Sequence, residues 1–430
     1  MTKKIKWIAI QPLTGGMYFG AENIIGHPAE CILSFPGLTS EKRNKLTHEV
    51  ISCSNEWYLT NYLKQHNRMP DYYVFKDRKM FQDDIIKDTV LEDENNNIVN
   101  PDYDEIDLVI AVPVCSGLSS ATIAPNSTKN SKNCNMKFIT KYALSKIQPK
   151  VYIMENAPAL YTNTGVNMRE YFKNLAKSLG YSIIFVKTDT QFHNNCQRRP
   201  RTFVMFIKND GGKIGCPEIT WENKHIDTKE YFDEIDKHIT TETMINGYEF
   251  SKLMLKYFME MWGNDWREKF KENLTGIKNI INNDLFEDFK KYVDKNVTNE
   301  KDIRGFKKAL DHVKYKISID KGYYCDTPIM PRKEYTPAVI FKTTPHILHP
   351  TFDRFISIEE ALALMGMPFD FSLCGHEQHD FPLIGQNVPV KTAEWIIRNG
   401  VDIINNWDSL DRKYGSVLYA NNLKQSYHEE

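Results

Sequence analysis

The sequence predicts an α/β fold: a mostly parallel sheet, with a smaller and largely helical domain set into the same chain. Three observations predict it. Continuous apolar runs at 106–112 (IDLVIAV) and 150–154 (KVYIM) read as strands buried on both faces. Helix-period patterns at 138–147 and 168–179 lie between such runs, the alternation expected of a parallel sheet. After Ile207 the chain turns rich in Lys, Glu, Asn and aromatics at helical spacing, and from Pro337 the first pattern returns.

In chain order, 6–10 (KWIAI) is a short buried strand, and Gly15-Gly16 follow in a turn before a helix. Residues 30–35 (ECILSF) and 49–53 (EVISC) are two further strands, the latter leading into a helical NEWYLTNYLKQH. Strands at 182–186 and 202–207 complete the first part. Helices are expected at 247–273, 285–295 and 303–315 in the second domain, and at 358–365 and 390–399 in the return. The boundaries are therefore 1–207 with 336–430 for one domain and 208–335 for the other. The patch 116–135, rich in Ser and Asn, reads as a mobile loop.

A chain of 430 residues suits two or three domains at about 150 residues each. Mean hydropathy is −0.50, and no apolar run reaches the roughly 18 residues of a membrane span. The start, MTKKIKWIAIQPL, fits a first strand better than a signal peptide. None of the eight cysteines forms a CxxC pair, which argues against zinc ribbons and thioredoxin-type sites. Their scatter suits a reducing cytoplasm. The twelve histidines show no metal-ligand spacing, so no metal is expected. A net charge of −1 hides its distribution: between 141 and 207, ten Lys and Arg face Glu155, Glu170 and Asp189. A basic segment of this kind can meet phosphate, although most such runs are solvated faces.

The chemistry-bearing residues stand at strand ends, where ligands bind in such folds. IDLVIAV runs into Pro113-Val114-Cys115, placing a thiol where a nucleophile belongs. KVYIM ends in Glu155-Asn156, and a carboxyl group there can act as an acid or hydrogen-bond a ring nitrogen. Gln197-Arg198-Arg199-Pro200-Arg201 opens the strand at 202–207 and offers arginines for phosphate or a carbonyl oxygen.

Taken in order, these segments resemble the DNA (cytosine-5)-methyltransferase family, which carries Pro-Pro-Cys, Glu-Asn-Val and Gln-x-Arg-x-Arg. Here they stand as VPVCSG, MENAPA and CQRRPRTF, with LHPTFDRFISIEEALALMGMP and IGQNVP later in the chain. The matches span nearly the whole chain outside 208–335. The resemblance implies a Rossmann-like domain that uses S-adenosylmethionine, and a target-recognition domain at 208–335. Cys115 would attack C6 of a flipped-out cytosine, Glu155 would hydrogen-bond N3 and the exocyclic amine, and Asn156 would hold the strand end. Arg199 and Arg201 would reach the base O2 and a flanking phosphate. Gln11, Leu13, Gly15, Gly16, Glu56, Trp57, Asp77, Val114, Met136, Gln386 and Asn387 would form the cofactor side. The implied partner is double-stranded DNA, without a membrane, for a monomer in the cytoplasm of a bacterial or phage-infected cell.

The cofactor side departs most from the family. Where the first motif reads Asp-Leu-Phe-x-Gly-x-Gly-Gly, this chain has Ala9-Ile10-Gln11-Pro12-Leu13-Thr14-Gly15-Gly16. Gln11 thus stands in the place of the aromatic residue expected to stack on adenine. The second motif matches 51–57, which implies an insertion near 27–48. Asp84 is an alternative to Asp77 for the third motif. Three competing readings stay open: the same cysteine chemistry with a modified sulfonium donor, the same chemistry on RNA or a free nucleotide, and a DNA-binding relic. The relic reading is disfavoured because Cys115 and Glu155 are both present.

Overall fold

The computed structural model describes residues 4–35, 56–76, 89–113, 118, 131–239, 249–318, 327–340, 343–373 and 377–423. Its centre is a ten-stranded sheet. In chain order the strands are β1 (Trp7–Ile10), β2 (Cys31–Ser34), β3 (Asp71–Phe75), β4 (Leu91–Glu92), β5 (Ile98–Val99), β6 (Leu108–Ala111), β7 (Val151–Asn156), β8 (Tyr181–Asp189), β9 (Gln197–Arg198), β10 (Pro200–Lys208), β11 (Thr336–Pro337) and β12 (Val417–Asn421). Across the sheet they run β12-β8-β10-β7-β6-β1-β2-β3-β4-β5, while β9 and β11 form a separate parallel pair. From β3 through β2, β1 and β6 to β7 every pairing is parallel. β10 is reversed and lies antiparallel between β7 and β8.

Both faces of the sheet are covered. Trp7 and Ala9 of β1 join a layer built from α1 (Gly16–Ile25), α2 (Trp57–Gln65) and the long helix near the carboxyl end, Val390–Asn405. Ile8 and Ile10 face the opposite layer, built from α3 (Ser131–Tyr142) and α4 (Val166–Ser178). Alternation along one strand thus serves two cores, which explains why the strands read as continuous apolar runs.

A third core is helical. It draws on α5 (Glu249–Trp262), α6 (Trp266–Lys271), α7 (Gly276–Asn282), α8 (Phe286–Asn296) and α9 (Glu300–Ser318), joined by Met330, Leu348 and Phe355. The separate unit therefore starts later than residue 208. Cys216, Ile219, Phe232 and Ile235 pack into the main core, so the stretch after β10 belongs with the sheet.

Two further differences concern the sheet. The insertion overlaps the expected 27–48 but begins only after β2, because residues 31–34 pair with β1 in register Ile10↔Leu33. The extra chain runs between Ser34 and Glu56, and the strand expected at 49–53 falls outside the described residues. The patch read as a loop at 116–135 is helical from Ser131 onward, in α3.

Candidate active site

The parallel strands all point their carboxyl ends to one edge of the sheet, and the candidate residues gather there. β6 ends at Ala111 in register with Met154, so Pro113 leaves the sheet beside the end of β7. Cys115 follows two residues later and, with Val114 and Asp77, lies outside the described residues.

Glu155 and Arg201 meet because β10 is reversed. The register Phe203↔Glu155 brings the start of β10 to the end of β7. Arg201 Nε donates to Glu155 Oε1 at 2.9 Å, and Glu155 is only 4% exposed. Burial pushes the carboxyl above its usual range, against the pull of the Arg201 and then the Arg199 guanidinium. A buried carboxyl that keeps its proton more readily is suited to acid work at a ring nitrogen. Asn156 is fully buried, and its side-chain oxygen accepts the Ala157 N–H at 2.9 Å, fixing the turn that ends the strand.

Arg199 has a different role from the one expected. It is wholly buried and donates to three carbonyls: Val339 at 2.5 Å, Gly385 at 2.7 Å and Asn387 at 2.9 Å. It has no exposed surface for a base or a phosphate, and it ties the returning chain to the sheet. Gln197 does the same, accepting the Val339 N–H at 2.9 Å and donating to the Leu364 carbonyl at 3.2 Å. Replacing Arg199 by Met leaves those carbonyls unsatisfied in the interior. The expected loss is about 3 kcal/mol of stability, read by urea unfolding. A loss below about 1 kcal/mol would show that the return does not depend on it.

Met136 is likewise enclosed. It is fully buried in the α3–α4 layer, with the Asn156 amide 3.6 Å from its sulfur, which leaves it no surface for a cofactor.

The remaining cofactor candidates surround the loop between β1 and α1. Gln11 and Leu13 hold positive φ of 50° and 54°, and Gly15 sits at 111°. Left-handed backbone at two non-glycine residues is strain of the kind found at ligand loops. A Cβ on Gly16 would meet the Val388 carbonyl at 1.8 Å, so only glycine fits against the returning chain. Asn387 accepts the Gly16 N–H at 2.8 Å, which makes it a positioning residue, while Gln386 next to it is exposed.

Glu56 directly precedes α2 and is 1% exposed. Ser34 Oγ, at the end of β2, donates to its Oε2 at 2.5 Å, and burial pushes the carboxyl up to about 7. Glu56 Oε1 has no partner, and neither has the buried Gln11 amide oxygen. Two enclosed acceptors without donors fit a ligand rich in hydroxyl or amino groups, as S-adenosylmethionine is. Trp57 begins α2 and lines a cavity of about 200 Å³ with Tyr62 and Asp370.

One cluster escaped the sequence reading. Asp236, His349 and Glu360 have the spacing of a metal site. Its donors are already engaged. His349 Nδ1 accepts the N–H groups of Thr351 and Phe352 at 3.1 and 3.0 Å. The ring proton therefore sits on Nε2, 3.2 Å from Asp236 Oδ2. Glu360 is held by Arg354 at 2.9 and 2.7 Å. Burial, with Arg354 and Arg267 nearby, drives the imidazole down to about 3. The cluster locks the entry of the helix at Ile358–Leu364.

Residues 70–401 match the profile described as C-5 cytosine-specific DNA methylase, about three quarters of the chain. The chain belongs to that family. The matched span of this family member begins after the β1–α1 loop and Glu56, the region that departs most from the expected motifs. Among curated relatives, the Type II methyltransferase M.BsuFI of Bacillus subtilis is 29% identical over 125 residues, 29% of each chain. The Type II methyltransferase M1.HphI of Haemophilus parahaemolyticus is 29% identical over 146 residues, 34% of this chain and 37% of that one. The matched stretches thus span about a third of those relatives. Among solved structures, a DNA modification methyltransferase encoded within a prophage (E. coli) superposes with TM-score 0.51 at 17% identity, covering 94% of this chain and 99% of that one. The methyltransferase EhMeth of Entamoeba histolytica gives 0.50 at 13%, covering 93% and 98%. These likenesses establish the shared fold.

Proposed function

We propose that this family member transfers a methyl group to C5 of a cytosine flipped out of duplex DNA. The observation that carries the reading is the buried Glu155–Arg201 pair at the end of β7, one strand from the segment that leads to Cys115. S-adenosylmethionine, when bound, supplies an electrophilic methyl group. The Cys115 thiolate adds to C6, forming a sulfur–carbon bond and pushing electron density to C5. Glu155 holds a proton toward N3 and offsets the charge that gathers on the ring. Arg201 keeps that carboxyl aimed and is the arginine with access to the base. Once C5 carries the methyl group, it loses its proton to a base, and elimination breaks the sulfur–C6 bond and returns the thiolate. The helical unit from residue 249 onward is suited to target recognition, being a core separate from the two that cover the sheet. No helix among the described residues is long and apolar enough to cross a membrane.

The test is mass spectrometry of nucleosides from DNA incubated with the protein and S-adenosylmethionine, where 5-methylcytosine is expected. DNA containing 5-fluorocytosine should be trapped covalently, and Cys115→Ser should abolish the trap. Trapping that persists in this variant would overturn the nucleophile assignment. Trapping without any 5-methylcytosine would point to a different donor.

A further inference from the structure

We propose that Gln11 is a cofactor-recognition residue whose side-chain amide binds one of the two ribose hydroxyls of the methyl donor, Glu56 taking the other. The inference rests on the reading of this cleft as the S-adenosylmethionine site and deepens it.

Three observations carry it. Gln11 directly follows β1, and its N–H donates to the Leu33 carbonyl at 2.8 Å, which puts it opposite Ser34 at the end of the neighbouring β2. Ser34 is the residue whose hydroxyl holds Glu56. Gln11 and Glu56 therefore share the crevice between the first two strand ends, the place where this class of fold binds ligands. Next, the Gln11 side chain is 4% exposed, yet its amide oxygen finds no partner. Buried acceptors of this kind are costly and uncommon unless something absent from the apo state satisfies them. Third, Glu56 Oε2 already accepts from Ser34, while its Oε1 is a second buried acceptor without a partner.

A vicinal diol offers two O–H donors on adjacent carbons, and the crevice offers two acceptors without partners. A hydroxyl also accepts as readily as it donates, so the amide engages it in either orientation. Gln11, at φ 50°, leaves the extended backbone of β1, so the strand's alternation of faces does not continue through it. An aromatic ring at the same position has no hydrogen bond to give. In this chain, recognition at the end of β1 is by hydrogen bonding where the family's first motif has a ring.

The experiment is isothermal calorimetry on the full chain with S-adenosylhomocysteine and its 2′-deoxy and 3′-deoxy analogues. Wild type should bind the parent compound, and lose about tenfold or more in affinity on removal of either hydroxyl. Gln11→Leu should bind the parent about tenfold more weakly. It should also become indifferent to one of the two hydroxyls while still discriminating the other, because a contact cannot be lost twice. Gln11→Phe should behave like Gln11→Leu. The melting temperature of unliganded Gln11→Leu should be no lower than that of wild type, since the change removes an unsatisfied buried acceptor. Unchanged or tighter binding by either variant would overturn the role of Gln11 while leaving the cofactor site in place. So would a Leu variant equally sensitive to both hydroxyls, or one that melts several degrees lower. No binding of S-adenosylhomocysteine by wild type would overturn the cofactor reading itself, and this proposal with it.

Discussion

Glu155→Gln is expected to slow methyl transfer by about a thousandfold while leaving cofactor affinity unchanged. The substitution keeps the volume, and Gln Oε1 still accepts from Arg201, so the 2.9 Å contact that aims the side chain survives. What is lost is a transferable proton. Burial lifts the Glu155 carboxyl despite two arginines, so the wild-type group holds its proton more readily than an exposed glutamate does. A carboxamide still donates one hydrogen bond to N3 but cannot neutralise the ring as charge builds. Single-turnover methylation with saturating cofactor isolates this step. A loss smaller than tenfold would remove Glu155 from the acid role. Arg201→Met should produce a comparable loss by a different route, because a buried carboxyl without its guanidinium is neither aimed nor balanced.

The second large effect is a pH dependence centred on Glu56. Its carboxyl is lifted from 4.5 to about 7 by burial, so the charged form is the one the fold disfavours. Below the unfolded value both states are protonated and the group contributes nothing. As pH rises from about 4.5 through 7, the unfolded chain releases its proton first, and apo-protein stability falls by up to about 3 kcal/mol. Ligand binding runs the other way. Ribose hydroxyls donate best to a carboxylate, so affinity for S-adenosylhomocysteine should weaken about tenfold for each pH unit below 7, with proton release on binding. Glu56→Gln should flatten both profiles. A wild-type affinity that is constant between pH 5.5 and 8 would sink the assignment.

Much of this architecture was legible because the central strands are buried on both faces. IDLVIAV and KVYIM leave no room for another reading, and they place Glu155 at a strand end beside the segment that leaves β6 at Pro113. The direction of β10 was not legible: PRTFVMFIK is as apolar read either way, and its reversal comes from pairing with β7 and β8. The short β4–β5 hairpin and the half-exposed β12 carry too little periodicity to stand out. The two arginines of the CQRRPRTF segment look alike in sequence. Only tertiary structure separates them, since the carbonyls that claim Arg199 lie 140 to 188 residues further along. The same holds for the stretch 216–235, whose composition matches the helical unit while its apolar side chains fill the main core.

The closure of the β1–α1 loop by Asn387 and Val388 sets an order of events during translation. The first strand and its glycine turn leave the ribosome at the start of synthesis, but Asn387, which seats Gly16, is made 371 residues later. A nascent chain, or one ended by a premature stop before Asn387, carries the thiol and the acid without a finished cradle for the donor. On the proposed reading, methyl transfer would therefore require the chain to be read almost to its end.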